Sequence, residues 1–558
     1  MKLLRVSLFY TIIFLFFQNE LFSQALSVGL SENIEDVYRR QQLLGLDSSS
    51  SSYMLRPINL SDRTNLSLDN EFKLSQLYRP LYESGKRTVL LTALPVSWQH
   101  QYNAHHPYGM NDGSMIPAKG YQTQLSTGFY AKAGPLSIQL RPEFVFSENK
   151  EYRELYEAHQ EDALLNIFAN RYYNRIDLPG RFGEGAYTSL GWGQSNIRLT
   201  FDPVSVGISS ENLWWGPGRR NALLMSNNAP GFKHVTINTS RPVKTAIGSF
   251  EAQIIGGRVE NSGVTSLNGS HYKARVNDWR YLSGMVFAYQ PKWIPNLFLG
   301  FDRSFIVYHE DMKGGLGDYL PFFSSLTKKN ASGASPTEDD QRKTDQYFSV
   351  FARWVLNEAK SELYFQYGRN DHPWNVRDAI SEPEHSRGYI FGFRKLLPLN
   401  RTNEFIQIGL EVTQLGKTNT KQLRASQPWY SHYQVRDGYT NAGQVIGAGI
   451  GPGSGMQSLD VSWVKGLRRI GFQVERLVQN SDLLYDSRMF LDENRPWTDL
   501  SVGAHLDWVL GKIILNSQFS FIRSHNYQYQ SITPDEVASP YKQGANNFQF
   551  KIGVLRSF

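Results

Sequence analysis

Every second residue is apolar over long stretches of this chain. In the run 404–413, Ile406, Ile408, Leu410 and Val412 alternate with Gln407, Gly409, Glu411 and Thr413. The same pattern places Ile513, Leu515, Phe519 and Phe521 against Asn516, Gln518 and Ser520, and Leu136, Ile138, Leu140, Phe144 and Phe146 against Ser137, Gln139, Arg141 and Glu143. Period-two alternation predicts strands with one apolar and one polar face. Runs of this kind predict eighteen strands, near 88–102, 119–132, 136–147, 195–201, 204–211, 232–241, 249–259, 277–290, 297–308, 345–356, 360–369, 387–397, 403–415, 456–466, 469–478, 499–510, 512–524 and 547–558. The links between them alternate short and long, which a soluble sandwich gives no reason for. Short turns on one side and long loops on the other are the pattern of an outer-membrane barrel, with the turns periplasmic.

The end of the chain fits that reading. "NNFQFKIGVLRSF" puts Phe548, Phe550, Ile552, Val554 and the terminal Phe558 on one face, an ending similar to the C-terminal signal of outer-membrane barrels and a mark for the barrel-insertion machinery. Arg556 departs from it, standing where an apolar residue is expected. The 558 residues contain no cysteine, which removes disulfides, thiolate metal sites and lipidation at Cys. A closed barrel needs no disulfides, because its ladder satisfies every strand and leaves no edge. The expected fold is all-β: a transmembrane antiparallel barrel of about 18 strands with a small N-terminal periplasmic helical region.

The organisation follows. Residues 1–25 have a charged start (Lys2, Arg5), an apolar run and the small residues Ser23 and Ala25, the three parts of a secretory signal that is removed. Residues 26–87 are expected to be periplasmic and partly helical. In "SENIEDVYRRQQLLGL", Ser31 suits an N-cap, Glu32, Glu35 and Asp36 suit the first turns, and Ile34, Val37, Tyr38, Gln41 and Leu44 share a stripe. That stripe needs a partner, so the helix is expected against the barrel mouth or with short helical pieces around 59–78. Residues 88–558 form the barrel, and a second helical run at 151–173 falls in a long outer loop.

Catalytic patterns are few. His105 and His106 are adjacent, expected to point apart, and lack a third ligand at useful spacing. No serine has a GxSxG context, and "GAGIGPGSG" at 447–455 lacks the ending and helix of a phosphate loop. No cofactor, metal or enzymatic activity is expected. The net charge of +7 becomes +6 without Lys2, Arg5 and Glu20; that is too little for a nucleic-acid partner, and an exported chain meets none. The long connections combine aromatics, amides and glycine: "HHPYGMNDGSMIPAKG", "ENLWWGPGRRN", "LMSNNAPGF" and "DGYTNAGQVIGAGIGPGSG". Rings that are apolar on the face and planar polar groups are what sugars bind. Candidate polysaccharide-binding residues are therefore Trp214 and Trp215 for stacking, Arg219 and Arg220 for acidic groups, and Asn111, Asp112, Asn221, Tyr439 and Asn441 for hydroxyls. The alternative for the same loops is that they fold inward and plug the barrel. Since "ENLWW" ends an outgoing strand, Trp214 and Trp215 are expected at the outer membrane interface, where tryptophan also serves as a belt residue.

"NLWWGPG", "SNNAPGF", "LSIQLRPEFVF" and "GYTNAGQVIGAGIGPGS", with the histidine-containing loop, together resemble the capsule assembly Wzi family over roughly 30–558. The resemblance implies an eighteen-stranded outer-membrane barrel with helical pieces on the periplasmic side. It also implies a surface lectin that binds exported capsular or other extracellular polysaccharide and helps organise it. It carries no catalytic residues. A channel or uptake porin is the alternative function, and outer-membrane lipid is a partner in either case.

Overall fold

The structure is a computed structural model that describes residues 25–30, 32–47, 49–59, 77–78, 80–85, 88–159, 161–264, 271–323, 343–370, 381–418, 427–530 and 544–558. The expected leader, apart from Ala25, the N-cap Ser31 and nearly all of 59–78 lie outside these residues.

Eighteen antiparallel strands close into a barrel: β1 (Val89–Asn103), β2 (Gly120–Ala133), β3 (Leu136–Leu140 and Glu143–Ser147), β4 (Tyr187–Gly191 and Asn196–Phe201), β5 (Val204–Ser209), β6 (Lys233–Thr239), β7 (Gly248–Val259), β8 (Arg280–Pro291), β9 (Leu297–Tyr308), β10 (Asp345–Leu356), β11 (Ser361–Asn370), β12 (Arg387–Pro398), β13 (Glu404–Gln414), β14 (Gly455–Lys465), β15 (Arg468–Val478), β16 (Thr498–Leu510), β17 (Ile513–His525) and β18 (Ala545–Arg556). Strand β18 pairs with β1, from Gln549 opposite Asn103 to Arg556 opposite Val96, so the sheet has no free edge. The period-two reading locates each of these eighteen; a further short strand, Pro80–Glu83, pairs with the start of β1 inside the region expected to be periplasmic and partly helical. The reading shortened only β4, whose first segment precedes a bulge at 192–195. There the register against β3 shifts by one residue, which interrupts the alternation the reading relied on.

Apolar side chains face outward, Leu410, Phe472, Phe519 and Phe548 among them, while Gln407, Thr413, Gln473 and Ser520 are buried inside. Hydrocarbon outside and hydrogen-bonding partners inside account for the alternation. An eighteen-stranded barrel is wide enough to hold an aqueous channel. Here the chain fills it.

From the periplasmic end, α1 (Glu32–Leu43) sits within the barrel mouth, enclosed by inward residues of the wall. Its stripe of Ile34, Val37 and Tyr38 packs on Leu90, Leu94, Tyr130, Leu467, Ile514 and Leu555. Its charged side meets strand residues: Asp36 takes Arg394, and Arg39 reaches Glu362 at 3.0 Å. Asn33 donates to the Leu467 carbonyl and Arg40 to that of Gly466 at 2.6 Å, both in the β14–β15 turn. A helix with an apolar stripe and a charged opposite side finds partners for both only when surrounded by wall.

From the outer end, the loops 210–232 and 427–454 turn inward. With inward residues of β7–β13 they build an apolar core of Trp215, Leu223, Met225, Trp429, Tyr430, Tyr439, Tyr347, Phe351 and Ile390. The opposite wall, β14–β18 with β1–β3, presents Ser, Gln, Asp, Asn and Arg inward. The lumen is thus half protein core and half polar. The second predicted helix is shorter than expected, α2 (Asp162–Arg171), with turns before it. It caps the outer end: Leu164, Phe168 and Tyr173 pack with Leu483, Leu484, Leu491 and Tyr529 from the β15–β16 and β17–β18 loops.

Candidate functional site

The "NLWWGPGRRN" stretch leaves β5 and turns inward. Trp214 and Trp215 pair as a two-residue strand with Arg56 and Leu55 from the N-terminal segment, and Gly216 N–H donates to the Met54 carbonyl at 2.8 Å. Both tryptophans are buried, Trp215 wholly, so the expectation of a position at the membrane interface is corrected. The cause lies in partners far along the chain. Trp215 Nε1 donates to Gln253 on β7 at 2.9 Å, and its ring occupies the space over Gly284 on β8, where a Cβ would come within 2.9 Å of it. Trp214 lies under the Arg56 guanidinium, 4.9 Å from the ring centre.

Beyond the Gly-Pro-Gly turn, one carboxylate holds three consecutive backbone donors. Glu411 on β13 accepts from the N–H groups of Arg219 (2.7 Å), Arg220 (3.1 Å) and Asn221 (2.9 Å), and from the Tyr364 hydroxyl at 2.8 Å. Proline cannot donate and glycine turns freely, so this sequence supplies a nest-like arc that encloses an anion. The two arginine side chains point into a buried ion network. Arg219 binds Asp36 at 2.9 Å, and Arg220 binds Glu475 at 2.7 Å. Asp36 also takes Arg40 at 2.5 Å and Arg394; Glu362 takes Arg39 and Arg394 at 3.0 Å and Arg353 at 2.6 Å. Burial raises the Asp36 pKa, but Arg219, Arg394 and Arg40 outweigh it and hold the carboxyl well below its ordinary range.

Five of the nine predicted residues converge. Trp214, Arg219, Arg220, Asn111 and Asp112 line one cavity of about 230 Å³ on the polar side of the lumen. Asn111 donates to the Arg220 carbonyl at 2.7 Å, and Asp112 pairs with Lys551 of β18 at 2.6 Å. The other four stand outside it, each already hydrogen-bonded. Trp215 is described above, and Asn221 donates to Thr413 at 3.2 Å. Tyr439 donates to Ser304 at 2.8 Å, and Asn441 bridges the Pro230 carbonyl and the Glu260 N–H at 3.0 Å each. Missed by the sequence reading were exposed tyrosines of the outer cap, Tyr433 and Tyr485. Tyr433 stands in "WYSHYQ", an aromatic-amide run of the kind used for the other loops, so its signal was present. Tyr485 stands on a six-residue helix, Ser481–Asp486, with no such neighbours.

Two constellations invite chemistry. His105 and His106 do not point apart: their Nδ1 atoms lie 3.1 Å from each other, and the His106 ring packs on Tyr527. Among the described residues no group of three metal-ligating side chains forms. On the polar wall, His505 Nε2 lies 3.0 Å from Ser462 Oγ and 3.3 Å from Asp460, and Ser462 also donates to Asp460 at 2.7 Å. A nucleophile relay needs serine and carboxylate on opposite ring nitrogens, whereas here both meet Nε2. The cluster ties β14 to β16 across Gly471, where a Cβ would come within 2.4 Å of Ser462 Oγ.

The cap holds two acids with raised pKa values. Burial, with Glu157 nearby, pushes Glu154 from 4.5 up to about 7, and burial pushes Asp482 from 3.8 up to about 6. A raised carboxyl favours the folded state while protonated, so its contribution is fully present at low pH and lost as pH rises through that window. A nitroxide at Met489→Cys, attached to a chain with no cysteine of its own, is expected to become more mobile between about pH 5 and pH 8. Glu154→Gln should flatten that response; an unchanged response removes Glu154 as its origin.

Fold and site together define an outer-membrane β-barrel whose lumen is filled by its own N-terminal helix and outer loops. The chain belongs to the capsule assembly protein Wzi family, whose model matches residues 103–530. A solved structure of Wzi from Escherichia coli, described as an outer membrane protein involved in group 1 capsule assembly and a carbohydrate-binding β-barrel, is similar over 83% of this chain and 84% of that one, with a TM-score of 0.53 at 13% identity. OccAB2 from Acinetobacter baumannii aligns over 82% of this chain and 96% of its own (9% identity, TM-score 0.40), and a BenF-like porin from Pseudomonas fluorescens over 84% and 99% (8% identity, TM-score 0.38). Likeness that distant carries no functional meaning. No curated protein sequence matches the chain.

Proposed function

We propose that this protein is a non-enzymatic outer-membrane lectin that holds exported capsular or other surface polysaccharide at the cell surface. The observation that carries it is a barrel of the capsule-assembly family whose lumen is occupied from both ends, so that a polymer meets the outer cap and not a pore. In the division we propose, residues 1–25 are removed on export, 26–87 supply the periplasmic plug and 88–558 the barrel, inserted by the machinery that reads its last strand. Tyr433 and Tyr485 offer exposed ring faces on the cap. Trp214, Arg219, Arg220, Asn111 and Asp112 line the cavity inside the plugged lumen, where ring, guanidinium and amide groups suit a single sugar unit. Trp215, Asn221, Tyr439 and Asn441 keep the inward loops in place. Each contact is weak, and a repeating polymer gains strength from many of them.

Deleting the gene and comparing cell-associated with shed polysaccharide tests the role. The cell-associated share is expected to fall; unchanged retention defeats the proposal. Tyr433→Ala with Tyr485→Ala should lower retention without lowering barrel stability. In planar bilayers the purified protein is expected to give no large stable conductance, the result that separates it from a porin.

A further inference from the structure

The outward face of β11 and β12 is graded by depth. Moving from near the periplasmic turn toward the outer end, directly opposed pairs are Leu363 and Phe393, then Phe365 and Phe391, then Tyr367 and Tyr389, then Arg369 and Arg387. Hydrocarbon-type side chains give way to amphipathic rings and then to guanidinium groups, which is the order a lipid presents from acyl chain to headgroup. Two cations directly opposite each other destabilise a sheet unless something lies between them.

Their partners differ. Arg387 pairs with Glu384, donates to the Gly416 carbonyl at 3.2 Å and lies 5.3 Å from the Tyr389 ring centre. Arg369 is only 8% exposed, yet its Nε and Nη2 have no hydrogen-bond partner among the described residues. Arg303, outward on β9 in the same cross-strand row, shows the contrast: its guanidinium donates to the Phe322 carbonyl at 3.2 Å and to Gln346 at 3.3 Å. A buried guanidinium lacking such partners is costly. Its planar fork matches a phosphate that accepts two hydrogen bonds at once.

We propose that Arg369 and Arg387 form a binding site for the phosphate of a phosphorylated lipid of the outer leaflet, whose acyl chains lie along Phe365, Phe391, Tyr367 and Tyr389. The site fixes the barrel to its surrounding lipid, on the side of the membrane where the cap works, and it does not depend on the sugar-binding reading.

Native mass spectrometry of the full-length barrel, exchanged from detergent into vesicles containing diphosphorylated lipid A and then re-extracted, tests this. Wild type is expected to retain lipid A and to lose it when the lipid is dephosphorylated. Arg369→Ala with Arg387→Ala should retain about thirtyfold less, from roughly fivefold for each cationic side chain near a charged membrane surface. Lys395→Ala, an outward cation at the periplasmic end of β12, should change nothing. Equal retention of dephosphorylated lipid, or displacement by inorganic phosphate at matched concentration, overturns the lipid site, as does an equal loss with Lys395→Ala. If the double alanine variant fails the heat-modifiability check for a folded barrel, the wild-type comparison of phosphorylated and dephosphorylated lipid decides, with Arg369→Lys as the folded variant of reduced fork geometry.

Discussion

Asp36→Ala is expected to open the barrel. The Asp36 carboxylate is 2% exposed and is shared by Arg40, Arg219 and Arg394, with Gln407 donating at 3.2 Å. Removing it takes a carboxylate from the buried Arg40 and Arg394 and the part-buried Arg219, with Glu362 still paired to Arg394, and breaking a buried pair by deleting one partner costs about 3–5 kcal/mol. The loss falls where α1, the inward loop and the wall meet, so the plug loosens before the ladder does. Two measurements are expected to change together: the temperature at which the folded band converts in heat-modifiability gels falls, and ion conductance appears in planar bilayers. Glu32→Ala is the comparison, since that side chain is 57% exposed and its contacts with Arg219 and Arg469 are 3.8 and 3.9 Å, worth about 1 kcal/mol or less. Acid should not mimic Asp36→Ala. A carboxyl held low contributes its stability above its unfolded pKa and loses it only as pH falls through the depressed folded value, well below the ordinary carboxylate range. Normal stability and no conductance in Asp36→Ala would show that the network is dispensable.

Trp215→Ala is expected to be the most damaging single truncation in the inward loop. The side chain is wholly buried in the lumen core, and emptying a site of that size costs about 3–5 kcal/mol. It also removes the donor to Gln253, which keeps one bond, to Thr236 at 3.1 Å. Trp215→Phe keeps most of the volume and loses the hydrogen bond, so about 1–2 kcal/mol is expected. Any loss of polysaccharide retention should follow stability across the two variants. Loss of retention in Trp215→Phe at unchanged stability would restore the stacking role that the sequence suggested.

How much was legible varies by element. The eighteen strands were, because lipid outside and polar lumen inside impose alternation on each one locally; β4 was cut short where a bulge adds a residue. Strands β9 and β10 carry a further signal: "LFLGFDRSFIVY" and "DQYFSVFARWVL" place apolar residues on both faces, which fits a wall with lipid on one side and protein core on the other. The loops were identified as unusual from tryptophan, asparagine and glycine together. Their destination was not.

Local residue pattern sets the architecture: strand number, strand direction, the side of the long loops and the presence of a helix before the barrel. Each of these rests on neighbours within about fifteen residues of one another. Long-range packing, by contrast, draws α1 into the barrel, buries Trp214 and Trp215 beside Arg56 and Leu55, and pairs Arg219 and Arg220 with Asp36 and Glu475. Those pairings join residues as far apart as Arg220 and Glu475. A buried charge must find its partner wherever the fold brings one, and the local pattern of a loop carries no record of that partner.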